Sequence, residues 1–260
     1  MKPKKSLGQN FLTSIPAKLA IVKAGEIGAK DTILEIGPGK GALTEEILKT
    51  KVKVIAIEKD RELISFLNEK FAKEIKSGQF TLINDDILKL ETRNLKLGTY
   101  KLIANIPYYI TGAIIEKFLT TSNQPSQMVL LIQKEVAQRI VARDGKESIL
   151  SLAVKVYGEP KIVYRVNRGS FHPIPNVDSA VLSIKNISRN NFKNKKQEEM
   201  FFQIIKRGFA HKRKLLISNL KESFKGVVWE EVFKENKVDL KVRAEDLKLE
   251  NWINISNNLC

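Results

Sequence analysis

Apolar residues along the first two-thirds of the chain fall into short blocks of two kinds. Residues 32–36 form a brief apolar run that ends in Gly-Pro-Gly, and residues 51–57 are rich in Val and Ile, as a strand covered on both faces is. Residues 80–83, 101–104 and 128–133 read as further strands. Between these blocks the spacing becomes helical. Leu43, Ile47 and Leu48 share a face within 40–49, and Leu63, Ile64, Leu67 and Phe71 share one within 61–75. Residues 135–143 suit a charged amphipathic helix, and 154–166 and 180–184 suit late strands. Such βα alternation predicts an α/β fold, a mostly parallel sheet with helices on both faces.

The pattern changes near Ile187. Residues 188–197 (SRNNFKNKKQ) are polar and charged and read as a linker, after which 200–209, 214–224, 229–236 and 244–255 all suit helices. No internal repeat is visible. Two domains follow, 1–187 and a small all-helical one over 188–260.

Length and composition narrow the class. A chain of 260 residues with 43% hydrophobic residues can bury a sizeable core and is not disordered. The single cysteine is Cys260, so no intrachain disulfide forms, and with only His172 and His211 beside it there is no Cys/His zinc site. The longest apolar run, residues 128–132, is too short to cross a membrane, and the basic N-terminus lacks an apolar core for secretion, so a cytoplasmic protein is expected. The formal charge of +16 favours a polyanionic partner. It is unevenly spread: residues 189–225 carry eleven basic residues against three acidic ones, a net +8.

The segment Glu35-Ile-Gly-Pro-Gly-Lys-Gly41 lies where a strand gives way to a helix. Glycines there let the backbone turn tightly and approach a ligand, and ligands of open α/β sheets bind outside the carboxyl ends of the strands. The next strand ends at Glu58, whose carboxylate can accept both ribose hydroxyls of a nucleoside. A dinucleotide site usually has G-x-G-x-x-G. Here the third glycine comes one residue early, and Glu35 would repel a phosphate while suiting a cation such as S-adenosylmethionine. Asp86 is preferred over Asp85 as acceptor for the cofactor's adenine amine, because it directly precedes the apolar pair Ile87-Leu88.

The fourth strand ends in Ala104-Asn-Ile-Pro-Tyr-Tyr109. The exocyclic amine of adenine is a poor nucleophile, since its lone pair is delocalised into the ring. The Asn105 side-chain oxygen and the Ile106 carbonyl can accept its two N–H groups, Pro107 fixes the turn, and Tyr108 can stack on the base. A proline-stiffened loop, Ser170-Phe-His-Pro-Ile-Pro-Asn-Val-Asp-Ser-Ala180, can hold Phe171 against the base's other face. Stacking is worth roughly 1–3 kcal/mol per base. His172 reads as a loop residue rather than a catalytic base.

Together these segments resemble the KsgA family of ribosomal RNA adenine dimethyltransferases. The resemblance runs over nearly the whole chain: Lys5-Ser-Leu-Gly-Gln-Asn-Phe-Leu12, EIGPGKGALT (35–44), Glu58, Asp86-Ile-Leu88, NIPYYIT (105–111), QKEVAQRI (133–140), FHPIPNVDSA (171–180), Phe209-Ala-His-Lys-Arg-Lys214 and Asn219-Leu220. It implies a Rossmann-like S-adenosylmethionine-dependent methyltransferase domain whose residues 1–12 form a flexible segment covering the cofactor. It further implies that Asn10 and Leu12 line the cofactor pocket with Gly37, Glu58, Asp86 and Asn105, and that Asn105, Tyr108 and Phe171 hold the target adenine. The helical domain would bind RNA through Lys212, Arg213 and Lys214, where the family more often has paired arginines. The implied activity is dimethylation at N6 of two adjacent adenines near the 3′ end of 16S rRNA, by a monomer acting on a 30S subunit or its precursor and serving also as an assembly checkpoint.

Three rivals remain. An erythromycin-resistance methyltransferase of 23S rRNA shares the glycine loop and Asn-x-Pro-Tyr, but Val177-Asp-Ser-Ala180 and the 209–214 signature favour the small subunit. The intact Asn105 and Tyr108 oppose a non-catalytic RNA-binding factor. Ile106 opposes a methyltransferase of DNA or protein glutamine, which carries proline there.

Overall fold

The computed structural model describes residues 3, 4, 7–95 and 97–259, so Lys5, Ser6 and Cys260, named above, lie outside the described residues. The chain divides into two compact units: 1–137 with 159–187, and 138–158 with 188–260.

In the first unit, seven strands form one sheet among the described residues. They are β1 Thr32–Ile36, β2 Lys53–Glu58, β3 Phe80–Asn84, β4 Tyr100–Asn105, β5 Gln127–Gln133, β6 Glu159–Val166 and β7 Ser179–Lys185. Their order across the sheet is β3-β2-β1-β4-β5-β7-β6. All neighbouring pairs from β3 to β5 are parallel, and β7 runs antiparallel to both β5 and β6. Burial follows position. β1, β2, β5 and β7 are buried almost end to end, as strands covered on both faces are, whereas the edge strand β6 is largely exposed.

The helices of this unit are α1 Ile15–Ala24, α2 Ala42–Leu48, α3 Arg61–Lys70, α4 Ala72–Lys76, α5 Thr111–Thr120 and α6 Lys134–Ile140, the last crossing into the second unit. The Ser14 hydroxyl caps α1 and the Asp60 carboxylate caps α3, each worth about 1 kcal/mol. The single helix expected over 61–75 is broken at Phe71. Its ring packs where a Cβ on Gly41 would lie only 2.5 Å away, and stands edge-on to Phe80 with centroids 5.3 Å apart. The early third glycine of the loop therefore makes room for this ring.

The second unit contains α7 Ile149–Lys155, α8 Lys195–Gly208, α9 Leu216–Ser223, α10 Trp229–Glu235 and α11 Leu249–Asn257. Three expectations are corrected here. Residues 138–158 belong with this unit rather than with a domain spanning 1–187. Val154 does not begin a strand: the Ser148/Ser151 capping box starts α7, and β6 opens only at Glu159. The polar stretch after 187 is no free linker, because Phe192 stands edge-on to Tyr157 and Phe201 and the Arg189 guanidinium pairs with Glu198.

Asn219, nearly fully buried, donates to the carbonyls of Gly208 (2.6 Å) and His211 (3.2 Å), and so pins the turn that carries Lys212, Arg213 and Lys214. Just before that turn, Phe209 stacks on Trp252. Among the described residues no helix is long and apolar enough to cross a membrane.

A Cβ on Gly208 would come within 2.5 Å of Trp252 and 2.8 Å of Leu216. Gly208→Ala is therefore expected to cost roughly 1–3 kcal/mol of stability. Denaturant unfolding at an unchanged midpoint would show instead that the helices have room to spare.

Candidate active site

The carboxyl ends of β1, β2, β3 and β4 open onto one cleft of about 1180 Å³, counting the space open to solvent at its mouth. β1 ends in the glycine loop. Gly37 and Gly39 both have left-handed φ (63° and 60°), the region where a side chain is strained. The Gly37 amide donates to the Ile57 carbonyl (2.9 Å) and the Gly39 amide to Glu58 Oε2 (3.2 Å), so the loop is stitched to the end of β2. A Cβ on Gly37 would meet no atom within 4 Å. A ligand can thus lie directly against this backbone.

Two carboxylates stand almost out of water beside the loop. Glu35 is 1% exposed, and its one hydrogen bond among the described residues comes from the Thr44 hydroxyl (2.8 Å). Burial pushes its carboxyl up to about 8; the Thr44 bond opposes this and the nearby Glu58 charge adds to it. Glu58, 6% exposed, accepts from the amides of Asp60 (2.9 Å) and Gly39. Burial raises its carboxyl as well, against the pull of those two amides. Each oxygen keeps a further lone pair, so ribose hydroxyls could still donate to Glu58. Asp86 lies on the same cleft, with Lys59 Nζ at 2.9 Å from Oδ2 and the Leu88 amide at 3.0 Å from Oδ1. Burial would raise its carboxyl, but these partners outweigh burial and hold it below the usual range. Asp85 also lines the cleft and is turned onto the Asp86 amide (2.6 Å).

At the end of β4, Asn105 donates its amide nitrogen to the Asn10 carbonyl (3.2 Å). That bond commits the nitrogen as donor and leaves the side-chain oxygen as acceptor. Ile106 is buried, its amide donating to the Leu131 carbonyl (3.3 Å), and Pro107 turns the chain with φ −55° and ψ 130°. The half-buried Tyr108 shares a hydrogen bond with Ser179 at the start of β7 (2.7 Å), and burial raises its phenol. The segment Val177-Asp-Ser-Ala180 thus acquires a local task, since Ser179 fixes the ring that the sequence assigns to base stacking.

Residues 7–12 form one wall of the cleft. Several side-chain and backbone contacts hold them against the rest of the first unit. Gln9 donates to Asp60 (2.9 Å), Lys4 pairs with Asp60 (2.7 Å) and Glu62 (3.0 Å), and the Lys40 ammonium sits 4.9 Å from the Phe11 ring centre. Phe11 and Leu12 pair antiparallel with His172 and Phe171. This last pairing revises the role of Phe171. Although it borders the cleft, Phe171 is 2% exposed and packed into the core with Leu12, because the N-terminal segment covers it. It is an anchor of the wall in this structure, not an open clamp.

Of the residues expected at the site, Asn10, Leu12, Gly37, Glu58, Asp86, Asn105, Ile106, Pro107, Tyr108 and Phe171 all border this cleft; Lys212, Arg213 and Lys214 belong to the second unit. Thr44, Gln9, Asp60 and Ser179 were missed as site residues. Gln9 lines the cleft and also holds Asp60, whereas the other three act through neighbouring groups, and a capping Asp or a buried Ser carries no chemical signature in sequence. The donor set fits S-adenosylmethionine: open glycine backbone and buried carboxylates suited to a cation and to ribose, while the two lysines on the cleft are engaged, Lys59 with Asp86 and Lys40 over the Phe11 ring.

The raised Glu35 carboxyl has a measurable consequence. The folded chain binds a proton there that the unfolded chain, with its ordinary carboxyl, has lost at neutral pH, so stability contributed by this group declines as pH climbs towards about 8. A cationic ligand favours the ionised form. Cofactor affinity measured by calorimetry is therefore expected to rise between about pH 6 and about pH 8, by at most about tenfold per pH unit, and then to level. Glu35→Gln should remove the rise; a wild-type affinity flat across that range would contradict the assignment.

The whole chain, residues 1–260, matches the family described as Ribosomal RNA adenine dimethylase. A protein of Dehalococcoides mccartyi (strain CBDB1) named Ribosomal RNA small subunit methyltransferase A is 41% identical over 258 residues, covering 97% of this chain and 87% of that protein. One of the same name from Fusobacterium nucleatum is 38% identical over 263 residues, covering 98% and 96%. Among solved structures, that of the 23S rRNA methyltransferase ErmE superposes with a TM-score of 0.80 over 96% of this chain and 99% of its own, at 23% identity, a likeness that speaks for the Rossmann-like fold alone. The matched family over the full length and the acceptor turn at the end of β4 agree: the chain belongs to the ribosomal RNA adenine dimethylase family.

Proposed function

We propose that this chain adds two methyl groups to N6 of each of two adjacent adenines near the 3′ end of 16S rRNA, acting as a cytoplasmic monomer on a 30S subunit or its precursor. The observation that carries the chemistry is the Asn105 amide, which spends its nitrogen on the Asn10 carbonyl and so offers its oxygen to a substrate amine. S-adenosylmethionine supplies an electrophilic methyl carbon on a sulfonium. The protein's part is positional and electrostatic. Asn105 Oδ1 and the Ile106 carbonyl accept the two N–H groups of the amine and draw its lone pair out of conjugation. Tyr108, held by Ser179, offers the ring on which the adenine stacks. No side chain needs to act as a base during transfer, since the surplus proton is lost from a cationic amine to water. A role as an assembly checkpoint fits an enzyme whose substrate is a particle rather than free RNA.

The choice of small-subunit RNA rests on the relatives' shared name, carried by 38–41% identity over nearly the whole chain. The likeness to ErmE, at 23% identity, does not bear on which RNA is modified. Methylation assays on purified 30S particles and on 23S RNA test this directly. Transfer to 30S is expected, and transfer to 23S RNA alone would overturn the reading. Asn105→Ala should lower the transfer rate at least about a hundredfold while leaving RNA affinity intact; equal activity would remove Asn105 from the chemistry.

RNA binding is assigned to the second unit. Its exposed turn presents Lys212, Arg213 and Lys214, with Glu245 3.8 Å from Lys212 and Glu222 3.2 Å from Lys214 as the nearby acids. Such exposed pairs are weak and yield readily to phosphate. Reversing all three charges should flatten the salt dependence of RNA binding by about one unit of slope for each phosphate no longer neutralised. An unchanged slope would mean that the turn does not touch RNA.

A further inference from the structure

Tyr109 has no part in the chemistry above, yet it is the most exposed large aromatic residue among those described, at 63%. An exposed ring of this size on a cleft wall is unusual enough to call for a reason. The turn over Tyr108–Ile110 is a 3₁₀ helix, in which successive side chains diverge by a third of a turn. Tyr108 consequently points inward to Ser179, and Tyr109 points outward to the rim of the cleft.

Its ring is braced rather than loose. A Cβ on Gly8 would come within 3.1 Å of Tyr109 Cδ1 and 3.2 Å of Cε1, and Gly8 has a left-handed φ of 60°. Glycine at that position lets the N-terminal segment close under the ring. Lys59 borders the cleft as well, its ammonium 2.9 Å from Asp86 and raised chiefly by that partner, with Tyr109 near enough to contribute a smaller electrostatic share. Tyr109, Gly8, Lys59, Asp86 and Leu88 therefore border the same cleft, at the end where Asp86 is assigned to the cofactor's adenine amine.

We infer that Tyr109 is the outer cover of the adenine subsite, stacking on the purine of S-adenosylmethionine and shielding it from water. This rests on the use of that cofactor and is independent of which RNA is modified. It makes Tyr109 a binding residue for the cofactor, separate from Tyr108, the platform for the substrate base. Neighbouring tyrosines in one short turn would then serve two different purines.

The test is equilibrium binding of S-adenosylmethionine and of S-adenosylhomocysteine by calorimetry, with no RNA present. Tyr109→Ala is expected to weaken both by about tenfold or more, the scale of removing one base–aromatic stack. Tyr109→Phe and Tyr109→Trp should retain near wild-type affinity, since they keep the ring. Affinity for 30S particles at saturating cofactor should not change. The ring is largely in solvent, so the alanine variant is expected to unfold at the wild-type temperature in the absence of cofactor, which separates a missing stack from a damaged fold. Unchanged cofactor affinity in Tyr109→Ala would overturn the inference. So would an RNA affinity that falls while cofactor affinity holds, which would give the ring to the substrate instead. Failure to methylate 30S particles would count against the proposed substrate and leave this result standing.

Discussion

Two carboxylates buried at the ends of adjacent parallel strands set the terms for everything around them. Taking a carboxylate out of water costs several kcal/mol unless donors replace the lost solvent or a proton neutralises the charge. The site uses both remedies. Glu58 is met by the amides of Gly39 and Asp60, which requires the loop after β1 to approach closely and the chain after β2 to turn straight into α3. Glu35 has, among the described residues, only the Thr44 hydroxyl as a side-chain donor, and its carboxyl is pushed up to about 8. Glycine at 37 and 39, the cap at Asp60 and the buried threonine of α2 are all consequences of holding two acids in one wall.

The same constraint explains why the N-terminal segment is tied where it is. Asp60 supports Glu58 through its amide and uses its own carboxylate to receive Lys4 and Gln9. The segment then passes over the cleft to give its Asn10 carbonyl to Asn105 and its Phe11-Leu12 pair to residues 171–172. One line of contacts thus runs from Glu58, through Asp60 and residues 9 and 10 of the N-terminal segment, to the Asn105 amide, so the orientation of Asn105 is linked to the buried acid.

Much of this was legible in the sequence, because it is local. The alternation of periods 2 and 3.6 marks β1 to β5 with α2 and α3, though not α1 or α5, and acids or Asn at strand ends mark the cleft once a parallel sheet is assumed. The errors fall where long-range packing overrules a local pattern. Helix 61–75 has an unbroken apolar face, yet Phe71 leaves it to fill the space beside Gly41. Val154 and its β-branched neighbours look extended, yet Ser148 and Ser151 cap a helix there. Phe171 follows the pattern of an exposed clamp, but a two-residue strand pairing with Leu12 buries it.

By itself, then, the sequence determined the parallel strands β1 to β5, the glycine loop, the acids at 35, 58 and 86, the Asn105–Tyr108 turn and the uneven positive charge. Each is a property of neighbouring residues, or of residue type at a fixed spacing. Tertiary structure alone decided that 138–158 joins the second unit, that Asn219 pins the basic turn, and that Ser179 holds Tyr108 while Tyr109 faces out. The physical reason is that burial and hydrogen-bond partnership depend on what arrives from elsewhere in the chain, and a serine, asparagine or tyrosine carries no sign of that partner until the chain has folded.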